Sequence, residues 1–351
     1  MRLSVVIPVY NGAAFLARCL ASLQQSTWRD FECIVVDDGS TDDSRAVAAG
    51  HGASVLALDA RGGPARARNR GAALARGEIL MFLDADVCVH ADTLALAERH
   101  LRECPGTDAV MGSYDDTPAD PHLVSQYKNL FHHYVHHTSR TEAWTFWAGC
   151  GAIRRQVFGD LGGFDEAYAH PSIEDIELGY RLRARGYRIA LDPRIQVTHL
   201  KRWTLRGLVR TDVLDRGVPW VLLMLQDRRM PADLNLRRTD RASVGLVFTM
   251  VLLCGVTLAG LMNLALPPSV ARATVPLSVA AAATVMGLNR DLHRFFVAKR
   301  GWWFGVATVP LVWLYYGYCG VAAALGVGVF VWAKLTGRGA RPGVPWARTA
   351  R

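Results

Sequence analysis

The sequence predicts an α/β fold, a mostly parallel sheet with helices on both faces, followed by an all-α apolar region. Three observations carry this. Strand-like and helix-like patterns alternate through the first third of the chain, and βαβα alternation implies a parallel sheet. The apolar run Ile79-Leu80-Met81-Phe82-Leu83, closed by Asp84 and Asp86, reads as a strand buried on both faces. At Val244 the composition changes from that of a soluble protein to long uncharged stretches.

The elements follow in order. The run SVVIPVY from Ser4 is a strand. Residues 13–25 form a helix with apolar spacing at Phe15, Leu16, Cys19, Leu20 and Leu23. Residues 32–36 are a strand and 44–49 a short helix opened by Ser40-Thr41-Asp42. A strand at 54–58 leads to a helix at 64–75 with Pro64 near its first turn. The DxD strand at 79–83 follows. Further helices are predicted at 91–103, 122–137, 173–185 and 205–225, with short strands at 109–113 and 188–191 and a polar loop at 115–121. The 205–225 segment, with Trp220 and a basic continuation, reads as an interfacial amphipathic helix.

Three apolar stretches occupy the C-terminal third. Residues 244–266 carry no charge and are long enough to span a bilayer; 270–288 is weaker because of Arg272 and Pro276; 302–332 is uncharged with Trp302, Trp303 and Trp332 at its edges. About three spans are expected, the alternative being a hairpin in the last stretch. Much of the net charge of +9 is juxtamembrane: Arg228, Arg229, Arg237, Arg238 and Arg241 before the first span, and Arg290, Arg294, Lys299 and Arg300 before the last. That placement points to membrane lipids rather than nucleic acid, and the positive-inside rule puts the soluble part in the cytoplasm. The basic tail with Lys334, Arg338, Arg341, Arg348 and Arg351 breaks this rule after three crossings. The expected organisation is a soluble domain over 1–240 ending in a linker at 205–240, a helical membrane region over 241–335 and a tail over 336–351. Seven cysteines without C-x-x-C spacing fit a reducing compartment and give no zinc signal. The run at residues 3–9 is too short for a leader and reads as a strand.

Asp84 and Asp86 are hard oxygen donors at a strand's carboxyl end, where open α/β sheets bind ligands, and they suit Mg²⁺ or Mn²⁺ with room for phosphates. A solvated acidic turn is the bland alternative. Upstream, Pro8-Val9-Tyr10-Asn11 follows the first strand, Asp37-Asp38-Gly39-Ser40-Thr41-Asp42 the second, and Gly62-Gly63-Pro64-Ala65-Arg66-Ala67-Arg68-Asn69 opens the helix before the DxD strand. In a parallel sheet all of these line one edge. Asp38 suits a base N–H or a ribose hydroxyl, and Arg66 and Arg68 suit a diphosphate. Turn chemistry and a solvated helix face account for each feature taken singly. The histidines at 132, 133, 136 and 137 pair at i, i+4 but lack the glutamate of a zinc helix, and an exposed or membrane-facing helix explains them better.

Together IPVYNG, VVDDGSTDD, GGPARARNRGAALARGE and FLDAD, followed by WAGCGAIRR, LGGFDE and PSIEDIELGYRLRARGYRI, resemble family 2 glycosyltransferases over residues 3–205. The resemblance implies a GT-A fold with a donor half at 1–115 and an acceptor half at 116–205, inverting transfer from a nucleotide-sugar donor (a uridine nucleotide by family frequency), and a divalent metal. It implies that Pro8, Tyr10, Asn11, Asp37, Asp38, Arg66, Arg68, Asn69, Asp84 and Ala85 hold the donor. It further implies that Asp84, Asp86 and His199 serve the metal, and that Asp175 is the general base supported by Glu174. Membrane spans beside such a domain imply a multi-pass protein of a bacterial-type inner membrane, its acceptor lipid-linked or membrane-proximal. The oligomeric state is not encoded legibly. The rival readings are a catalytically inactive scaffold, a nucleotidyltransferase and a transporter. The intact DxD and ED-x-E-L, the absence of a G-x-G-T-R-type loop and the lack of intramembrane charge weigh against them in turn.

Overall fold

The computed structural model describes residues 2–231, 233–262 and 267–337. The expected end of the first span near Leu266 and the tail arginines at 338, 341, 348 and 351 lie outside the described residues. Two compact units are present, one reaching to Thr204 and one over Leu205–Trp332.

The first unit begins as the hydrophobic pattern dictates: β1 (Leu3–Val9), α1 (Ala13–Gln24), β2 (Phe31–Asp37), α2 (Ser44–Gly50), β3 (Ser54–Ala57), α3 (Pro64–Leu74) and β4 (Ile79–Leu83). All five residues of β4 are buried, as a two-faced core strand requires. It continues through β5 (Val87–Val89), α4 (Thr93–Glu103), β6 (Ala109–Tyr114), α5 (Leu123–Thr138), β7 (Glu142–Ala143), β8 (Cys150–Arg154), α6 (Arg155–Asp160), α7 (Glu174–Ala184) and β9 (Ile189–His199). One sheet takes the order β3-β2-β1-β4-β8-β6-β9-β5, with β7 also on β9. Its first four strands are parallel. β8 then enters antiparallel to both β4 and β6, so the sheet as a whole is mixed.

Two strand pairings set up the site. Leu83 lies opposite Cys150, which brings the Trp147–Cys150 segment beside the DxD turn. Val87 lies opposite His199, which brings the end of β9 beside Asp86. The β6/β9 register slips between Met111 and Ser113. At the slip the Gly112 carbonyl turns to α5, where His136 Nδ1 meets it at 2.9 Å; His133 Nδ1 meets the Tyr114 carbonyl, which also accepts from Ser113 Oγ, at 2.8 Å. These two histidines are buried rather than exposed or membrane-facing, because the sheet needs donors there.

The second unit is helical. The predicted helix at 205–225 is α8 (Leu205–Arg210), a π-helical stretch (Thr211–Gly217) and α9 (Val218–Asp227). The Val218 N–H reaches back to the Val213 carbonyl, and Pro219, which has no N–H, comes next. A widened turn is how a helix accommodates that gap. Then come α10 (Arg238–Leu261), α11 (Pro268–Leu288), α12 (Arg290–Arg300) and α13 (Trp302–Thr336). α10 and α11 form an antiparallel pair, tied by Thr257 to Thr274 at 2.6 Å and by Asn289 to Ser243 at 3.0 Å. Among the described residues two helices, α10 and α13, are long and apolar enough to cross a membrane. The apolar part of α11, Arg272–Leu288, is shorter than a span and holds Pro276. α13 is one continuous helix, not a hairpin; at 35 residues it is about 52 Å long.

Candidate active site

The expected residues gather at the carboxyl ends of β1, β2 and β4 and at the start of α7. Arg68 is the centre of the arrangement. It sits on α3, which Gly63 opens at φ +90°, a conformation with no room for a side chain: a Cβ there would lie 2.5 Å from the Ala169 carbonyl oxygen. One guanidinium nitrogen of Arg68 donates to Asp84 Oδ1 at 2.7 Å and another to Glu174 Oε1 at 2.8 Å. Arg68 and Glu174 are both 4% exposed. Arg68 is therefore engaged inside the protein, bridging the DxD turn to the head of α7, and does not stand free for a diphosphate.

A second tie runs through the Trp147–Cys150 segment. The Asp84 N–H donates to the Gly149 carbonyl at 3.3 Å, and the Ala148 N–H donates to Asp175 Oδ2 at 3.1 Å. Asp175 Oδ1 accepts from the Ile176 N–H at 2.8 Å, and Glu174 Oε2 accepts from the Ser172 N–H at 2.9 Å. Both acids stand in the first turn of α7, at the positive end of its dipole. Asp175 is half-buried, so its carboxylate is held in place while still reachable.

The two carboxylates of the DxD differ. Burial pushes Asp84 above its ordinary range; Arg68 opposes this, and Asp86 and Glu174 add to it. Burial also pushes Asp86 upward, but the His199 hydrogen bond and charge, with Lys201, outweigh it and the net shift is downward. His199 Nε2 lies 3.5 Å from Asp86 Oδ2. Among the described residues no group of three or more His, Cys, Asp or Glu side chains is assembled as a metal cage. A hard cation that keeps phosphate and water ligands needs fewer protein donors, and a carboxylate and an imidazole already face each other here.

The remaining expected donor residues build the loops of this edge. Asp38 accepts from the N–H groups of Gly62 and Gly63, each at 2.8 Å, and so fixes the glycine turn. Asp37 is fully buried, accepting from the Ser40 N–H at 3.1 Å and pairing with Arg45. Asn11, at φ 49°, accepts from the Thr41 N–H at 2.8 Å while its own N–H donates to Ser40 Oγ at 2.9 Å. Pro8 lies within β1, and Tyr10 is exposed with the Arg61 guanidinium 4.1 Å from its ring centroid. Ala85 is half-buried between the two aspartates. Arg66 reaches the Ala60 carbonyl at 3.4 Å. The Asn69 amide donates to the Phe164 carbonyl and accepts from the Phe164 N–H, both at 2.9 Å, so it holds the LGGFDE turn. From the other side Arg181, held by Glu177 at 2.6 Å, donates to the carbonyls of Leu161 and Gly163 at 2.8 Å.

Several participants had no visible signal in the sequence. Tyr114 stacks on the His199 ring at 4.4 Å and meets Trp147 edge-on at 4.8 Å. Asn129 Oδ1 faces His199 Nδ1 at 2.7 Å. These residues lie far apart in sequence, so no local pattern joins them.

Residues 4–162 match the family model described as Glycosyl transferase family 2. A validoxylamine A glucosyltransferase of Streptomyces hygroscopicus subsp. jinggangensis is 33% identical, the match covering 52% of this chain and 52% of that protein. A PGL/p-HBAD biosynthesis glycosyltransferase of Mycobacterium bovis is 38% identical over 31% of this chain and 45% of its own length. The chain thus spans about half the length of the curated relatives it matches. Among solved structures, a mannosyltransferase from Pyrobaculum calidifontis in complex with GDP-Man and Mn²⁺ superposes with a TM-score of 0.51 at 20% identity, covering 92% of this chain and 87% of that one. The 1–349 portion of S. aureus TarS in complex with UDP-GlcNAc gives 0.50 at 17% identity, covering 97% of this chain and 93% of that one. At these identities the likeness is one of fold.

Proposed function

The chain belongs to glycosyltransferase family 2 through its domain at residues 4–162, and from that premise we propose that it is a membrane-anchored inverting glycosyltransferase. It takes a nucleotide-diphosphate-sugar as donor and a hydroxyl or phosphate of a lipid-linked or membrane-proximal molecule as acceptor, in cell-envelope glycan or glycolipid synthesis. The observation that carries this is the double tie, through Arg68 and through Ala148–Gly149, that holds the DxD turn against Glu174 and Asp175. A donor-phosphate subsite and a carboxylate base must lie this close for one hydroxyl to reach one anomeric carbon.

Asp175 accepts the proton of the attacking hydroxyl, held in orientation by the Ala148 N–H, while Glu174 and Arg68 tie the head of α7 to the DxD turn. Asp38 and the glycine turn shape the nucleoside pocket beside the exposed face of Tyr10. The donor set of Asp86, Asp84 and His199 fits Mn²⁺ or Mg²⁺ better than zinc, being two carboxylates and one imidazole with no thiolate. Bound there, such an ion would neutralise charge on the leaving diphosphate. The soluble portion faces the cytoplasm and α10 and α13 anchor it, with their exposed apolar residues against lipid. The named partners of the fold relatives, a guanosine and a uridine sugar nucleotide, leave the base to experiment.

The test is a thermal-shift panel of UDP, GDP, CDP and dTDP with their common sugars, on full-length protein in detergent, with and without Mn²⁺. One nucleotide stabilising the fold only when Mn²⁺ is present supports the reading. Folded protein that responds to none of them would refute it in favour of an inactive scaffold.

A further inference from the structure

We propose that Asn129 is the positioning residue that fixes His199 to present Nε2 toward Asp86, and so makes it a cation ligand rather than a core histidine. The inference rests on the reading of Asp86 and His199 as cation donors.

The hydrogen bonds leave little choice of atoms. Asn129 is fully buried on α5. Its Nδ2 donates to the Ser125 carbonyl at 2.8 Å, and a carbonyl can only accept. The amide oxygen must therefore face the other way, toward His199 Nδ1 at 2.7 Å. An amide oxygen is only an acceptor, so Nδ1 must carry its proton. Nε2 is then the nitrogen left to face Asp86 Oδ2, 3.5 Å away. A divalent cation would take the Nε2 lone pair in place of a proton, with the Asp86 carboxylate beside it.

The ring cannot easily turn away. Tyr114 stacks on it at 4.4 Å with 16° between planes, and His199 is 4% exposed. The backbone is clamped as well: the His199 carbonyl accepts from Ala119 at 3.1 Å, and the Trp203 N–H donates to Ser125 Oγ at 2.8 Å. α5 thus grips the segment after β9 at two positions one turn apart, Ser125 and Asn129. The partner on the far nitrogen of a ligating histidine commonly sets its tautomer, and losing that partner weakens metal affinity by about 10–100-fold.

The experiment measures Mn²⁺ binding, not turnover. Mn²⁺ is titrated into full-length protein with UDP or GDP present, the free aqua ion is followed by electron paramagnetic resonance, and coupling of bound Mn²⁺ to imidazole nitrogen is read by spin-echo modulation. Asn129→Leu is expected to weaken Mn²⁺ by about 10–100-fold and to abolish the nitrogen coupling, because Nε2–H would then donate to Asp86. Asn129→Asp keeps an acceptor for Nδ1–H and should stay within about threefold of the parent, even if it melts lower. On a His199→Ala background, Asn129→Leu should change nothing further. Parent-like affinity and coupling in folded Asn129→Leu, with His199→Ala impaired, would overturn the role of Asn129 and leave the site intact. Full Mn²⁺ affinity in His199→Ala would overturn the inference and remove His199 from the donor set, without touching the reading of Asp84 and Asp86.

Discussion

Replacing Arg68 by Met should be among the most damaging single changes in the first unit. The side chain is 5% exposed, and it neutralises Glu174, itself 6% exposed, and Asp84, 34% exposed. Met fills much of the space but leaves Glu174 as a buried charge without its counterion. Removing one partner of a buried pair is destabilising by about 3–5 kcal/mol. Asp84, whose side chain is desolvated less completely than that of Glu174, adds a smaller loss. For a unit of this size the loss corresponds to a melting point lower by roughly 6–20 °C. Arg68→Lys keeps the charge but cannot fork to two carboxylates, and should lose about half as much, one charge-assisted hydrogen bond. Adding Glu174→Gln to the Met variant removes the orphan charge and should recover part of the stability. Differential scanning fluorimetry on the full-length protein in detergent gives all three values. A Met variant within 2 °C or so of the parent, or a double variant below the single one, would refute the account of Arg68 as a buried keystone.

Burial lowers the His136 imidazole to about 4, against a smaller upward pull from the Gly112 carbonyl. The unfolded chain takes up that proton near pH 6.5 and the folded one does not until near 4, so stability falls as pH drops through this window, by about 1.4 kcal/mol per unit. His136→Asn keeps a donor for Gly112 and should remove about 2 kcal/mol of the stability lost between pH 7 and 5 in urea unfolding; an unchanged loss would assign the acid sensitivity elsewhere. Gly63→Ala forces a Cβ into the Ala169 carbonyl at positive φ, and should lower stability by about 1–3 kcal/mol and weaken nucleotide binding, since the Gly63 N–H also donates to Asp38 and the same turn starts α3. Parent-like melting and binding would show that the turn relaxes freely.

Much of the site was legible because its residues sit at fixed offsets from strong strands and helices. The run before Asp84 and the proline-opened helix bearing Arg68 are both local signals. Less legible was everything that depends on pairing. β5, β7 and β8 are short or glycine-containing, and nothing in 150–154 marks an antiparallel strand between β4 and β6. For the same reason the roles of Arg68 and Asn69 as internal struts were hidden: each bonds to residues about a hundred positions away. The four histidines of α5 show the limit of periodicity, since their spacing was plain but the carbonyls of β6 that two of them meet were not.

The most direct test of the account is turnover by Asp175→Asn, measured as nucleoside diphosphate released from the donor that binds, with a lipid extract as acceptor source. Loss of general-base catalysis predicts a fall in kcat of about 10²–10⁴-fold with Mn²⁺-dependent nucleotide binding retained. Turnover within about tenfold of the parent would contradict Asp175 as the base and, with it, the mechanism built on the head of α7.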